Sequence, residues 1–477
     1  EFNLSSLKAV DIYGNIADGA NGATAYSGSK TIAYSLSGTA NGLDSGTDTY
    51  TTAVTFASGA SSTALLTTLY RKQNTSITAD ASDLAGTDII SNTITVNAAA
   101  ANKLKYSVNP PASVASGATW ASFDVSIYDT YGNARGSGTD TIGISEDGSG
   151  SFSGTTSKAA VNGAVTFNDI SYPTAQTIGV TAAATGLTSA SAFSVSVTSG
   201  SVSYLKVTAG AASMTAGGSL ELTVTAYDTN NNVATGYTGA KNLTFSGLAN
   251  APDGTVPTVE TVNQGSAVSV TFTNGASNAN AATLIAYKAE AVAVSVDVTD
   301  GTNNSTGNAS YDLDLTVLHA AADYLGVVAP AGPQVAGTSF NLTSIKGYDR
   351  YGNLADGGNG ATAYSGDKTL TYTFSGTANG PDSGSDTYTT AVSFTAGAST
   401  TVLATKLHRA SSSVTLSADD IALANNVANT ASAAFHVRHA ASDHIKFSAN
   451  LSTPQTAGAE FNLSSLKAVD IYGNIAD

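Results

Sequence analysis

The sequence predicts an all-β chain of antiparallel β-sandwich domains, each of roughly 100 residues and joined as beads on a string. Three observations carry that prediction. Apolar and polar residues alternate with period two along nearly every apolar segment, turn residues punctuate those segments at short intervals, and the pattern recurs along the chain.

Taken along the chain, the first segment holds an irregularity. Counted back from Asp11, Phe2 and Leu4 fall at odd offsets, while Leu7 and Ala9 fall at even ones. A slip of one residue turns side chains to the other face of a sheet, so a β-bulge is expected near Ser5 and Ser6, and again near Thr343 and Ser344. Further on, Phe123, Val125 and Ile127 alternate with Ser122, Asp124 and Ser126. Leu220, Leu222, Val224 and Ala226 alternate in the same way with Glu221, Thr223, Thr225 and Tyr227. Both read as half-buried strands. Asn162-Gly163 precedes Val165 and Phe167, and Asn274-Gly275 follows Val270 and Phe272, where two-residue hairpin turns belong. No segment carries a sustained helical stripe. Many short strands in domains of this size describe tandem immunoglobulin-like antiparallel β-sandwich domains.

The repeat has its own marker. Asp-x-Tyr-Gly-Asn occurs at Asp11 to Asn15, Asp129 to Asn133, Asp349 to Asn353 and Asp470 to Asn474, and Asp228-Thr-Asn-Asn-Asn232 is an altered copy. The spacings of 118, 99, 121 and 121 residues complete a period of 459, and residues 1 to 18 return unchanged as 460 to 477. That is the expected look of one period taken from a longer tandem array. The domains expected are 102–201, 202–320 and 321–440. Residues 1–101 form a domain lacking its first strand, completed by 441–459 of the preceding period, and 441–477 begin the next. Residues 2 to 98 match 340 to 436 almost position for position, and the joins between domains are short, which predicts restricted orientations.

Composition narrows the function classes. Charged residues are 11%, apolar residues 42%, and the net charge is −16. A thinly spread negative charge disfavours nucleic acid as a partner. With no run of about 18 apolar residues, no membrane span is expected in this segment. Zero cysteines exclude disulfides and thiolate metal sites.

Asp-x-Tyr-Gly-Asn reads first as a tight turn in which Asp caps backbone amides and Gly takes a positive φ. Asn231 at the glycine position of the altered copy favours that reading. The rival is calcium. Asp11, Asn15, Asp18 and Asn21, with Asp349, Asn353, Asp356 and Asn359, gather hard oxygen ligands in one loop, although the spacing is not that of an EF-hand. Asp44, Asp48, Asp382 and Asp386 form a second acidic loop with the same ambiguity. No catalytic or cofactor-binding residue emerges, so no enzyme is expected. His319, His408, His436, His439 and His444 lack zinc spacing and read as polar linker residues. Lys30, Lys241 and Lys368, at equivalent strand starts, read as edge charges, with a Lys-Asn crosslink as the rival. Asn-x-Ser/Thr sequons stand at Asn3, Asn74, Asn242, Asn303, Asn304, Asn308, Asn341 and Asn450.

The stretches LTVTAYDTNNNVATGYTG and NGAVTFNDISYPTAQTIGVTAAATGLTSASAFSVSV resemble the bacterial immunoglobulin-like (Big) domains of invasin/intimin-type and other giant surface proteins. The resemblance covers essentially the whole chain and implies a β-sandwich array outside the cell or on its surface. Its expected role is a structural fibre or stalk, whose partners are neighbouring copies of itself along or beside the fibre. Two alternatives stand beside it. One is an adhesin that binds a surface glycan or receptor through its loop insertions, which predicts exposed aromatic residues clustered on one face, with Tyr26, Tyr50, Tyr364 and Tyr388 as candidates. The other is separate subunits polymerised by donor-strand complementation.

Overall fold

The computed structural model describes residues 1–476 apart from 39–40, 87, 89, 377–378, 448, 450–452 and 462–464, so the sequon at Asn450 lies outside the described residues. Among the described residues regular structure consists of strands and two short 3-10 turns, Ala20–Gly22 and Gly358–Gly360. The chain divides into two units, residues 1–200 with 230–232, and residues 201–229 with 233–477.

In the first unit, strand Phe123–Tyr128 lies between Lys103–Val108 and Ala164–Phe167, facing a sheet built on Phe193–Thr198, Thr177–Ala183 and Thr141–Glu146. Period-two alternation puts Phe123, Val125 and Ile127 wholly inside, against Val165, Phe167, Ile178 and Val180 of the same core. Asn162 and Gly163 both take positive φ, 51° and 74°, as the tight hairpin turn requires. The sandwich nearer the start pairs Gly28–Leu36 with Ala53–Ala57 and Ile77–Ala81, around a smaller core of Ile32, Val54, Phe56 and Leu65.

In the second unit, Leu222, Val224 and Ala226 of strand Leu220–Tyr227 are buried with Val268, Val270 and Phe272 of strand Ala267–Thr273. Asn274 and Gly275, at φ 48° and 86°, turn that second strand back into Ala276–Ser277. The next sandwich is cored by Leu325, Ile345, Val392, Phe394 and Leu403. A final hairpin pairs Ser442–Phe447 with Leu466–Asp470.

Pairing is antiparallel with a recurrent exception. The short strands Ser113–Ala115, Ser213–Thr215 and Gln334–Val335 each run parallel to the last strand of their own sandwich. In the first of these, Pro110 and Pro111 interrupt the ladder that begins at Lys103–Val108, because proline offers no amide hydrogen. The opening strand therefore divides its length between the two sheets.

The expected β-bulges are not what reverses the side-chain parity. Strand Phe340–Leu342 pairs with Leu403–Lys406, whereas Ile345–Asp349 pairs with Ala322–Val327 in the other sheet. Thr343 and Ser344 are the break at which the chain changes sheets, so Leu342 and Ile345 both face the core. At Ser5 and Ser6 the same break separates Phe2–Leu4 from Leu7, whose amide donates to Ser61 Oγ (2.9 Å).

Candidate functional site: the turn that joins successive sandwiches

Each Asp-x-Tyr-Gly-Asn segment closes on its aspartate. Asp129 Oδ1 accepts the amides of Tyr131 (2.9 Å) and Asn133 (2.8 Å), and its Oδ2 accepts Asn133 Nδ2 (2.8 Å). The same three bonds recur on Asp11, Asp349 and Asp470. Gly132 sits at φ 87°, and Asn231 holds the corresponding position at φ 63°. The tight turn is therefore present.

The turn also grips its predecessor. Asn133 Nδ2 donates to Tyr70 O (2.8 Å) while its Oδ1 accepts Lys72 N (2.8 Å). Asn353 makes the same pair of bonds to Tyr287 O (2.7 Å) and Ala289 N (2.8 Å), and Asn474 to His408 O (2.8 Å) and Ala410 N (2.8 Å). A primary amide carries the same donor and acceptor as a peptide group, so it bonds to a strand margin as another strand would. Asn232 of the altered copy clusters with the first unit and there bonds Pro173 O (2.8 Å) and Ala175 N (2.9 Å). The linker is tied down too. Ala99, Ala320 and Ala440 donate their amides to Oδ2 of Asp129, Asp349 and Asp470, at 2.9, 2.9 and 2.8 Å.

A ring contact completes each joint, and a lysine–aspartate ion pair is added at the first and last of them. Tyr131 packs edge-on against Tyr70 with ring centroids 4.7 Å apart, Tyr351 lies 5.0 Å from Tyr287, and Tyr472 lies 4.7 Å from His408. Asp44 N donates to Tyr131 O (2.9 Å), and the Asp44 carboxylate pairs with Lys103 (2.9 Å) and Lys105 (2.6 Å). Asp382 repeats the scheme with Tyr472 O (2.8 Å) and Lys446 (2.6 Å). Asp48 Oδ1 accepts Tyr70 N (2.9 Å) and Asp386 Oδ1 accepts His408 N (2.8 Å). Among the described residues, the Oδ2 atoms of Asp48 and Asp386 are buried without a hydrogen-bond partner.

These environments move pKa values in opposite directions. Burial pulls Asp129 and Asp470 upward, but the bonds from the turn asparagine, the linker amide and the turn tyrosine outweigh it and hold both below the ordinary carboxylate value. Burial raises Asp48 and Asp386 despite the amide bond that each accepts. Burial and the neighbouring Asp48 charge push the Tyr50 hydroxyl up to about 12.

The other candidates fall as follows. Asp11 with Asn15 and Asp349 with Asn353 come together inside their turns, as described. Asp18 and Asp356 cap the amides of Ala20 and Gly358, both at 2.8 Å. Asn21 and Asn359 take φ 55° and 54°, and Asn359 Nδ2 donates to Glu290 O of the preceding sandwich (2.7 Å). Among the described residues, no three His, Asp or Glu side chains converge as they would around a metal ion. Two of the histidines are not the solvated linker residues that the sequence predicts. His319 is buried, bonded through Nδ1 to Ala320 O and through Nε2 to Gly357 N (2.9 Å), and His408 is buried under Tyr472. The exposed aromatic face is also corrected. Tyr26 and Tyr364 pack on Phe56 and Phe394, Tyr50 and Tyr388 stack on Tyr34 and Tyr372, and none of the four is exposed. Lys30 meets Asp83 (2.6 Å) and the Tyr26 ring, and Lys241 and Lys368 lie over Tyr237 and Tyr364. Sequence reasoning found the aspartate and glycine of the turn but missed its asparagine as a joint residue. The available signal was Asn232, retained in the copy that lost both Tyr and Gly.

Immunoglobulin-like sandwiches with a repeated joint define the class of this chain. No protein-family model and no curated protein matches the sequence. Among solved structures it is similar to FdeC, an Escherichia coli adhesin, at 21% identity over 72% of this chain and 99% of that one, with a TM-score of 0.33. It is similar to invasin, a bacterial integrin-binding protein, at 14% identity over 93% and 76%, with a TM-score of 0.30. A third is the Yersinia pseudotuberculosis adhesin InvE, at 16% identity over 45% and 58%, with a TM-score of 0.20. These neighbours are two bacterial adhesins and a bacterial integrin-binding protein.

Proposed function

We propose that the chain is one period of a tandem fibre or stalk, outside the cell or on its surface, in which the Asp-x-Tyr-Gly-Asn turn is the mechanical joint. The observation that carries this reading is one bonding scheme repeated at Asn133, Asn353 and Asn474. Each joint combines a two-point amide grip, a tethered linker and an aromatic contact, so relative rotation of neighbours breaks several interactions together. In this reading residues 441–459 supply the opening strand of the next period's 1–101. The adhesin neighbours support placement at the surface, and among the described residues no helix is long and apolar enough to cross a membrane.

The test is small-angle scattering on the triple variant Asn133→Ala, Asn353→Ala, Asn474→Ala. A broader distribution of interdomain distances at unchanged strand content supports the joint role. An unchanged scattering profile overturns it. The tandem reading is checked separately by the denatured mass of the native polypeptide, expected to be several-fold above 47.5 kDa.

A further inference from the structure

We propose that Tyr204 and Tyr311 form a cross-linking site, at which oxidation joins the two rings as dityrosine and staples the first strand of their sandwich to the turn before its last. The site does not depend on the tandem reading, although its mechanical consequence does.

The backbone brings the two rings together. Tyr204 opens strand Tyr204–Ala209 of the sandwich cored by Leu222 and Val224, and Tyr311 ends a turn in which its amide donates to Asn308 O (2.8 Å). Tyr311 O accepts Val207 N (2.7 Å), which fixes that turn against the strand. Two residues later begins the last strand, Leu313–Leu318. The rings stack with centroids 3.9 Å and planes 11° apart, whereas among the described residues no other ring pair is closer than 4.7 Å. Burial, followed by the Tyr311 phenol beside it, pushes the Tyr204 hydroxyl up to about 12, so the two hydroxyls lie on the same side of the stack. Rings stacked in that sense set the carbons ortho to each hydroxyl face to face. Both side chains are only half-buried, so an oxidant reaches them.

The fold itself does not require a ring at this place. Neither tyrosine belongs to the apolar core of the sandwich. In the next sandwich Tyr324 stacks on Tyr348 at 5.5 Å, as Tyr204 stacks on Tyr227 at 5.2 Å. The position of Tyr311 is held there by Thr430, whose carbonyl accepts Val327 N (3.2 Å). The backbone contact therefore recurs without the aromatic side chain.

The coupling needs an oxidant, which is a peroxide used by a haem peroxidase. Each phenol gives up one electron and one proton, and the two radicals join through a carbon–carbon bond between ortho carbons. The hydrogens displaced from those carbons return to the oxygens, and one hydrogen peroxide takes up the two electrons and two protons and leaves as two waters. In a chain without cysteine this is a cross-link that needs no thiol. It restricts the unfolded chain as a disulfide does. In a fibre under tension, load arriving at Tyr204 passes directly to Tyr311, and the residues between them are shielded.

Treating the full 477-residue chain, at high dilution, with hydrogen peroxide and a haem peroxidase tests this. Peptide mapping by mass spectrometry is expected to find the Tyr204 and Tyr311 peptides joined and two hydrogen atoms lighter than the separate pair, within chains of monomer mass. Tyr204→Phe and Tyr311→Phe, which keep the stacked rings, each abolish that joined pair, and Tyr227→Phe leaves it in place. The oxidised chain is expected to unfold this sandwich at a higher urea concentration, a shift that either of the first two variants removes. Oxidation that leaves Tyr204 and Tyr311 unjoined, or that joins them without moving the urea midpoint, overturns the proposal. The mass and scattering tests of the tandem reading are unaffected by these results.

Discussion

Asn353 spends every polar atom of its side chain on the joint, since Oδ1 accepts Ala289 N while Nδ2 is shared between Tyr287 O and Asp349. Asn353→Ala leaves a donor and an acceptor unpaired and is expected to cost about 1–3 kcal/mol in denaturant unfolding. Asn353→Asp, which cannot donate and adds a charge beside Asp349, is expected to cost more. The carboxylates give a pH signature of known sign. Asp129 and Asp470 are held below the unfolded carboxylate value of about 3.9, so their contribution is present above that value and is lost as pH falls through the folded pKa. Joint stability followed by chemical denaturation is therefore expected to decline in acid, below about pH 4. Asp48 behaves in the opposite sense. Its raised pKa means a contribution present at low pH and gone once the pH has risen past the folded value. Asp48→Asn keeps the neutral form and the Tyr70 N bond, and is expected to stabilise by about 1 kcal/mol at pH 7, with no gain in acid.

At the scale of elements, a close approach decides which residue fits. Gly337 takes φ 73°, and a Cβ there would collide with the Tyr472 hydroxyl of the next segment. Gly337→Ala is expected to cost about 1–3 kcal/mol and to displace Tyr472, a change visible as altered tyrosine fluorescence. The lysine pairs to Asp44 and Asp382 are partly exposed and contribute at most about 1 kcal/mol each, so high salt is expected to leave the joints closed. Period-two alternation made the core face of strand Phe123–Tyr128 readable residue by residue, because a half-buried strand writes its environment into every second position. The break at Thr343 and Ser344 was visible as a change of parity but not as a change of sheet. Parity records which face is buried and carries no information about which ladder the next residues join.

Across the whole molecule, stability is expected to follow the size of each core. The cluster around Ile32, Val54 and Phe56 is much smaller than the one around Leu222, Val224 and Phe272. Native-state hydrogen exchange is therefore expected to release strands Gly28–Leu36 and Ala53–Ala57 well before Leu220–Tyr227 and Ala267–Thr273. By itself the sequence determined the all-β class, the strand faces, the hairpin and Asp-capped turns and the recurrence of the turn motif, because alternation, turn chemistry and repetition are local properties of the chain. Only the tertiary structure decided what the turn does. The asparagine reaches partner carbonyls 63 to 66 residues away, and the tyrosines offered as a binding face are packed against other aromatic rings, because those contacts are made between segments far apart in the chain and leave no periodic trace within either one.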